Sequence, residues 1–469
     1  MNLKRAATNL FGWLRSRKPE VAVFLLGALL RISMSWTYPR SCAFDYGDHW
    51  DVVKWILAHG QIPQVEALRE AFHPPFFYVT SALWLKAGFT ANQLVAEPIT
   101  CGILRLALIW WGLEIYLPHS RAARLSALAL ACVMAASVHV DGMVHPEALN
   151  GLWTTSAMLL PAAGFRRSGK DRWRFACAAG VLLGVGMLTK ISASVIVASL
   201  GVACAAELLW QRRDLRAKLL AAVPWAATLA LCVAICGWYF ARNVREYHKL
   251  FLTSFDLRFE HSMVVESDKT PYLYRRPLGF FVGWDPAIFR FPYYSTSVRP
   301  NSQFWPVAVA STFVDYWNFS FSGLARDKAT QIGALYYPLS PRILRASQFA
   351  VAGGTAIFLA VVAAWFNTIG KVFQRRDFAT FFLLLIPLFT LLSAMHFAVT
   401  NPVDQYGVIK GVYMQFGAPP MYALFGLAVA WTTRNSDRWP VFALLMCALW
   451  LVGAYTIYCR LRLPLLPLG

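Results

Sequence analysis

Four residues that can move protons or hold a cation crowd one short stretch: Asp45, Asp48, His49 and Asp51, within FDYGDHWD. His73-Pro74-Pro75 closes the same polar segment before a run of aromatics. An aspartate among such neighbours can act as general base on an attacking hydroxyl, or share a divalent cation with nearby acids. The plainer reading is a solvated loop start, since acids are favoured near helix N-termini anyway. A second acid, Glu147, stands in DGMVHPE. Cationic candidates are Lys190 after Met-Leu-Thr, Arg242 in GWYFARN, and Lys410 just before Gly411 and Tyr413. Any one of them reads as a side chain snorkelling to an interface. Together with His49 and His73 they suit an anionic group such as a phosphate.

Those residues need a scaffold, and the composition says which kind. Of 469 residues 58% are hydrophobic and 14% charged, with a mean hydropathy of +0.47, which excludes an ordinary soluble domain. Long apolar runs without strict alternation indicate an all-α polytopic membrane protein rather than a barrel. The net charge of +20 sits in short basic blocks between those runs, so it marks topology and not nucleic-acid binding. Most of the nine cysteines fall in apolar segments, where they read as small core residues.

Placing the basic blocks (the N-terminal tail, 121–124, 166–174, 212–218, 371–376 and 434–438) in the cytoplasm predicts about eleven spans. They cover 20–38, 99–117, 125–140, 148–165, 175–189, 191–210, 219–240, 346–366, 378–397, 413–431 and 439–458. The same parity sends 39–98, 141–147, Lys190, 241–345 and 398–412 to the outer side. The run 75–89 would extend only about 22 Å as a helix, so it is expected to lie on the interface, with a shorter one at 53–58. Three units follow: a catalytic transmembrane module at 1–240, an extracytoplasmic cap at 241–345, and C-terminal transmembrane helices at 346–469.

The D-x-x-x-H element, Gly60 and Pro63 after it, the His-Pro-Pro turn, Glu147-Ala148-Leu149, LTK around Lys190, WYFARN and KGVYMQFGAPP occur in an order that resembles the GT-C superfamily. These are glycosyltransferases using lipid-linked sugars, with protein O-mannosyltransferases and the aminoarabinose transferases of lipid A among them. The resemblance implies a sugar donor on polyprenyl phosphate and a glycan, lipid or protein acceptor. It implies an active site on the outer face of a bacterial inner (plasma) membrane, and no nucleic-acid partner. Asp45 would be the base, with Asp48 as competitor and Glu147 as the second acid. Attack in one step would invert the anomeric centre while His49, His73, Lys190, Arg242, Lys410 and Tyr413 receive substrate and phosphate. No cofactor is required by the motifs. Some relatives hold a divalent cation (Mg or Mn), for which Asp45, Asp48 and Glu147 would be the ligands. One departure is His73, where aminoarabinose transferases carry Lys before the paired prolines. Two other classes fit the composition: a transporter or lipid-carrier flippase, and a polysaccharide polymerase or ligase.

Overall fold

The computed structural model describes residues 17–37, 45–210, 214–253, 256, 276–290, 303–314, 341–400 and 409–433. The described residues are helical and include no strand. Helical segments overlap each expected span up to residue 432, with 125–140 broken in two and 413–431 beginning in a 3-10 turn; the last expected span, 439–458, and most of the 241–345 cap lie outside the described residues. Five helices are long and apolar enough to cross a membrane: Gln93–Tyr116, Ile191–Trp210, Arg216–Tyr247, Arg345–Arg375 and Phe378–Thr400. A bent pair makes a sixth.

We number the helices that matter here in chain order. They are α1 (Lys18–Thr37), α2 (Tyr46–His59), α3 (Phe76–Lys86), α4 (Ala96–Tyr116), α5 (Arg121–Val133), α6 (Ala135–Asp141), α7 (Pro146–Phe165), α8 (Gly169–Thr189), α9 (Ser194–Trp210) and α10 (Leu215–Tyr247). After these come α11 (Phe304–Phe313), α12 (Pro341–Arg375), α13 (Phe378–Thr400) and α14 (Pro419–Thr432). The acidic stretch is therefore helical almost from its start, and α2 extends well beyond the expected 53–58. Helix α3 begins immediately after Pro75, a residue suited to the first turn.

The expected span 125–140 is broken. Helices α5 and α6 meet at a 55° bend at Met134, whose ψ of 110° interrupts the hydrogen-bond ladder. Carbonyls freed by such a break must find donors where water is scarce. Arg31 of α1 supplies them, donating to the carbonyl oxygens of Ala131 at 3.3 Å and Cys132 at 3.1 Å. Its Nε bonds Asp141 at 2.7 Å, and Arg105 of α4 donates to the same carboxylate at 3.0 and 3.1 Å. The bend redirects the chain so that the turn between α6 and α7 can carry His145 and Glu147.

Small residues let helices approach closely where lipid provides no hydrophobic drive. On α8, a Cβ at Gly180 would lie 2.6 Å from the Thr228 carbonyl oxygen of α10, and one at Gly184 would lie 2.7 Å from Ile235 Cβ. Far from the acidic cluster in sequence, the basic blocks close ion pairs. Arg121 reaches Glu20 at 3.2 Å, Arg17 reaches Glu114 at 2.9 Å, and Arg172 joins Glu207 through two bonds.

Candidate active site

The candidate residues come together at one end of the helix bundle, each delivered by an element end. Asp45 is the N-cap position of α2 and has φ 55° and ψ 24°, the left-handed region that aspartate tolerates better than most L-residues. Its side chain makes no capping bond to the helix. Burial, with Glu70 adding to it, pushes its carboxyl up to about 7, while Lys410 opposes the rise. Asp48, one turn on, accepts from Arg69 at 3.3 Å. Asp51 is half-exposed and pairs with Lys54 at 2.6 Å, so it faces away from the cluster.

His49 is buried on the inner face of α2. Its Nδ1 lies 2.8 Å from the Tyr78 hydroxyl of α3, and its ring centre is 5.6 Å from His73 and 4.4 Å from His145. His73 Nε2 is 3.0 Å from a carboxylate oxygen of buried Glu70. Burial lowers His49 to about 3 and takes His73 and His145 well below the ordinary imidazole range. The downward direction disfavours the charged form of His73, which weakens the case for it as a phosphate contact. Burial also raises Glu70.

Glu147 and Lys190 are joined directly. Pro146 occupies the first turn of α7, and His145 caps it by accepting the Glu147 N–H at Nδ1, 3.3 Å away. That cap aims the Glu147 carboxylate at Lys190, with which it forms a buried ion pair. Lys190 stands at the break between α8 and the 3-10 turn Ile191–Ala193, with extended φ −158° and ψ 139°. Asn150 of α7 fixes that turn by donating to Ser192 at 3.0 Å.

Lys410 and Tyr413 arrive from the 3-10 segment Gly411–Gly417, which leads into α14. Both lysines approach the Tyr413 ring, Lys190 Nζ at 5.0 Å and Lys410 Nζ at 5.2 Å from its centre. Lys410 also donates to the Tyr413 hydroxyl at 3.3 Å. Burial lowers Lys410 to about 7 although Asp45 works against the shift. Arg242 rests on the Tyr239 ring at 4.7 Å, and Tyr239 donates to the Phe72 carbonyl at 2.5 Å, so Arg242 reaches the His73 turn through an intermediary.

Two cavities are lined by neighbouring residues of this segment. A small one of roughly 20 Å³ is lined by His145, Glu147, Lys410, Val412 and Tyr413 among others. An apolar one of roughly 70 Å³ is lined by the next residues, Met414 and Gln415, with Trp305, Phe313 and Phe358 among others.

Glu70, absent from the residues the sequence singled out, is central here. Its ligand oxygen comes within 4.8 Å of those of Asp45 and Asp48, a group that fits a cation preferring oxygen ligands. Glu147, the third ligand expected, is engaged with Lys190. The signal for Glu70 was its spacing of three residues from His73.

No family model matches the sequence, and no curated protein does. Among solved structures the chain superposes on the archaeal oligosaccharyltransferase AglB from Archaeoglobus fulgidus, in complex with an inhibitory peptide and a dolichol-phosphate. That match has TM-score 0.55 and 13% identity, over 96% of this chain and 56% of that one. The same enzyme in complex with Zn and sulfate gives TM-score 0.52 and 12% identity, over 94% and 53% of the two chains. ArnT from Cupriavidus metallidurans bound to undecaprenyl phosphate aligns at TM-score 0.38 and 15% identity over 92% and 80%, a score too low to define a shared fold. The chain spans about half the length of the oligosaccharyltransferase. The fold is therefore that of the oligosaccharyltransferase, in agreement with the fold the motifs resembled.

Proposed function

We propose that the protein is an integral-membrane glycosyltransferase that takes a sugar from a polyprenyl-phosphate donor. The observation that carries this reading is the approach of Lys190 and Lys410 to one ring, that of Tyr413, which lines a cavity with Glu147 while the next residue, Met414, lines an apolar one. A lipid phosphate needs cations beside an apolar channel, and here Lys410, Val412 and Tyr413 line one cavity and Met414 the other.

In this reading the prenyl chain enters the apolar cavity and the phosphate meets Lys190 and Lys410. Glu147 holds Lys190 in place through their ion pair. Asp45 takes the proton of the acceptor hydroxyl as that oxygen attacks the anomeric carbon, and the lipid phosphate leaves with the bond pair. One displacement inverts the centre, and the lysines stabilise charge building on the leaving phosphate. A divalent cation at Asp45, Asp48 and Glu70 would add further positive charge. The reaction side is the extracytoplasmic face of a bacterial inner membrane, following the basic-block parity. The acceptor is a glycan, lipid or protein hydroxyl.

A transporter would place its functional charges mid-span. The mid-helix Arg31–Asp141–Arg105 set is instead engaged with broken-helix carbonyls and with itself, whereas Glu147, Lys190 and Lys410 sit at element ends. The test is transfer from a polyprenyl-phosphate sugar to a crude acceptor extract. Asp45→Asn should lose about 10²–10⁴-fold in rate, the range for a missing general base. Full activity in both Asp45→Asn and Asp48→Asn would refute the mechanism.

A further inference from the structure

His49, Glu70 and His73 stand out because their ligand atoms lie within 4.8 Å of one another and their surroundings are built to hold them. We infer that these three residues form a site for a borderline divalent cation of the Zn²⁺ class, distinct in ligand chemistry from the oxygen-only group of Asp45, Asp48 and Glu70 and sharing only Glu70 with it.

The argument begins with tautomers. Tyr78 has one hydroxyl proton and donates it to the Glu70 carbonyl oxygen at 3.3 Å. The 2.8 Å contact between Tyr78 and His49 runs in the direction the ring tautomer sets, and the tautomer in which the His49 Nδ1–H donates leaves a lone pair on Nε2. A ring held at one nitrogen by a fixed polar partner, with the other nitrogen available, is the arrangement that orients metal-ligating histidines. His145 is assigned differently. Its Nδ1 accepts from the Glu147 N–H, so its Nε2 carries the proton and it serves as a neighbour rather than a ligand.

The distances are also near those required. Bonds of about 2.0–2.1 Å in a tetrahedral site separate ligand atoms by about 3.3–3.4 Å. His73 Nε2 and Glu70 Oε2 are 3.0 Å apart, joined by a proton that a cation would replace. Binding therefore releases that proton to solvent and changes no oxidation state. His49 and Glu70 are 2% and 4% exposed, which suits a closed site with little room for rearrangement. Two imidazoles and one carboxylate favour Zn²⁺-like ions, whereas Mg²⁺ and Mn²⁺ favour oxygen sets. An ion here would fasten α2, which carries Asp45, to the turn leading into α3. It would also draw Glu70 away from Asp45 and Asp48, so the two kinds of ion should compete.

The test uses purified full-length protein in detergent, stripped with a chelator and dialysed against Zn²⁺, Mn²⁺ or Mg²⁺, with bound metal measured by elemental analysis. The expected result is Zn²⁺ retained at one ion per chain in preference to the other two, and Mn²⁺ uptake suppressed when Zn²⁺ is present. His49→Gln and His73→Gln should weaken Zn²⁺ binding by more than tenfold, and Tyr78→Phe by about tenfold through the lost orientation. Asp51→Asn, at a residue that faces away from the cluster, should leave Zn²⁺ binding unchanged. Tyr78→Phe removes a single oxygen, so it keeps the test readable if a histidine variant fails to fold. No stoichiometric Zn²⁺ in the wild type, equal binding by the histidine variants, or loss in Asp48→Asn as complete as in His73→Gln would overturn the inference. The readout is metal content, so a failed transfer assay leaves this result standing, and the reverse is also true.

Discussion

Glu147 and Lys190, 43 positions apart, form a buried ion pair that joins the start of α7 to the break after α8. Both groups are nearly out of solvent, at 3% and 11% side-chain exposure, so removing one leaves a charge with no compensation. Glu147→Gln or Lys190→Met should each cost about 3–5 kcal/mol of stability, and the double variant should cost less than either single change. Thermal unfolding in detergent measures all three. A double variant as unstable as the sum of the singles would show that the pair is not coupled.

Lys410 is the second proposed phosphate contact, held 3.3 Å from the Tyr413 hydroxyl. A hydrogen bond to a charged group contributes about 1.5–3 kcal/mol, which corresponds to roughly tenfold to a hundredfold in affinity. Lys410→Met should weaken polyprenyl-phosphate binding by that factor, and Lys410→Arg should recover part of it. Direct titration of the lipid phosphate decides the matter, and unchanged affinity in Lys410→Met would remove Lys410 from the donor site.

Asp141 is shared by Arg31 and Arg105, with its side chain fully buried. Asp141→Asn leaves two guanidinium groups facing a neutral amide beside the 55° bend, and should destabilise the chain by about 3–5 kcal/mol. The same variant should lower donor binding, because the bend places the turn bearing Glu147. A variant that unfolds at the wild-type temperature would argue that the bend holds without its counterion.

Gly411 begins the segment that lines both cavities, and its N–H donates to the Ser311 hydroxyl at 3.0 Å. A Cβ there would lie 2.6 Å from the Ser311 carbonyl oxygen and 2.6 Å from Thr312 Cα, contacts that require backbone movement. Gly411→Ala should cost roughly 1–3 kcal/mol as overpacking. It should also raise KM for the donor by displacing Lys410, which kinetics with varied donor concentration would show. An unaltered KM would separate the packing of α11 from the donor site.

The amino-acid sequence by itself determined that this is a helical membrane protein, because apolar runs and basic blocks are local properties that each segment carries alone. It also picked out Asp45, Glu147, Lys190 and Lys410, since charges beside apolar runs are conspicuous whatever they touch. Which of those charges meet depends on three-dimensional packing, and only the tertiary structure decided it. Glu147 finds Lys190 because α7 and α8 pack side by side, and Glu70 becomes central because the chain between α2 and α3 folds it back under His49. The break at Met134 was equally hidden, since the apolar run continues through it and the stabilising Arg31 lies more than a hundred residues away in sequence. The polarity of His73 was legible, but the downward push on its pKa was not, because that follows from burial.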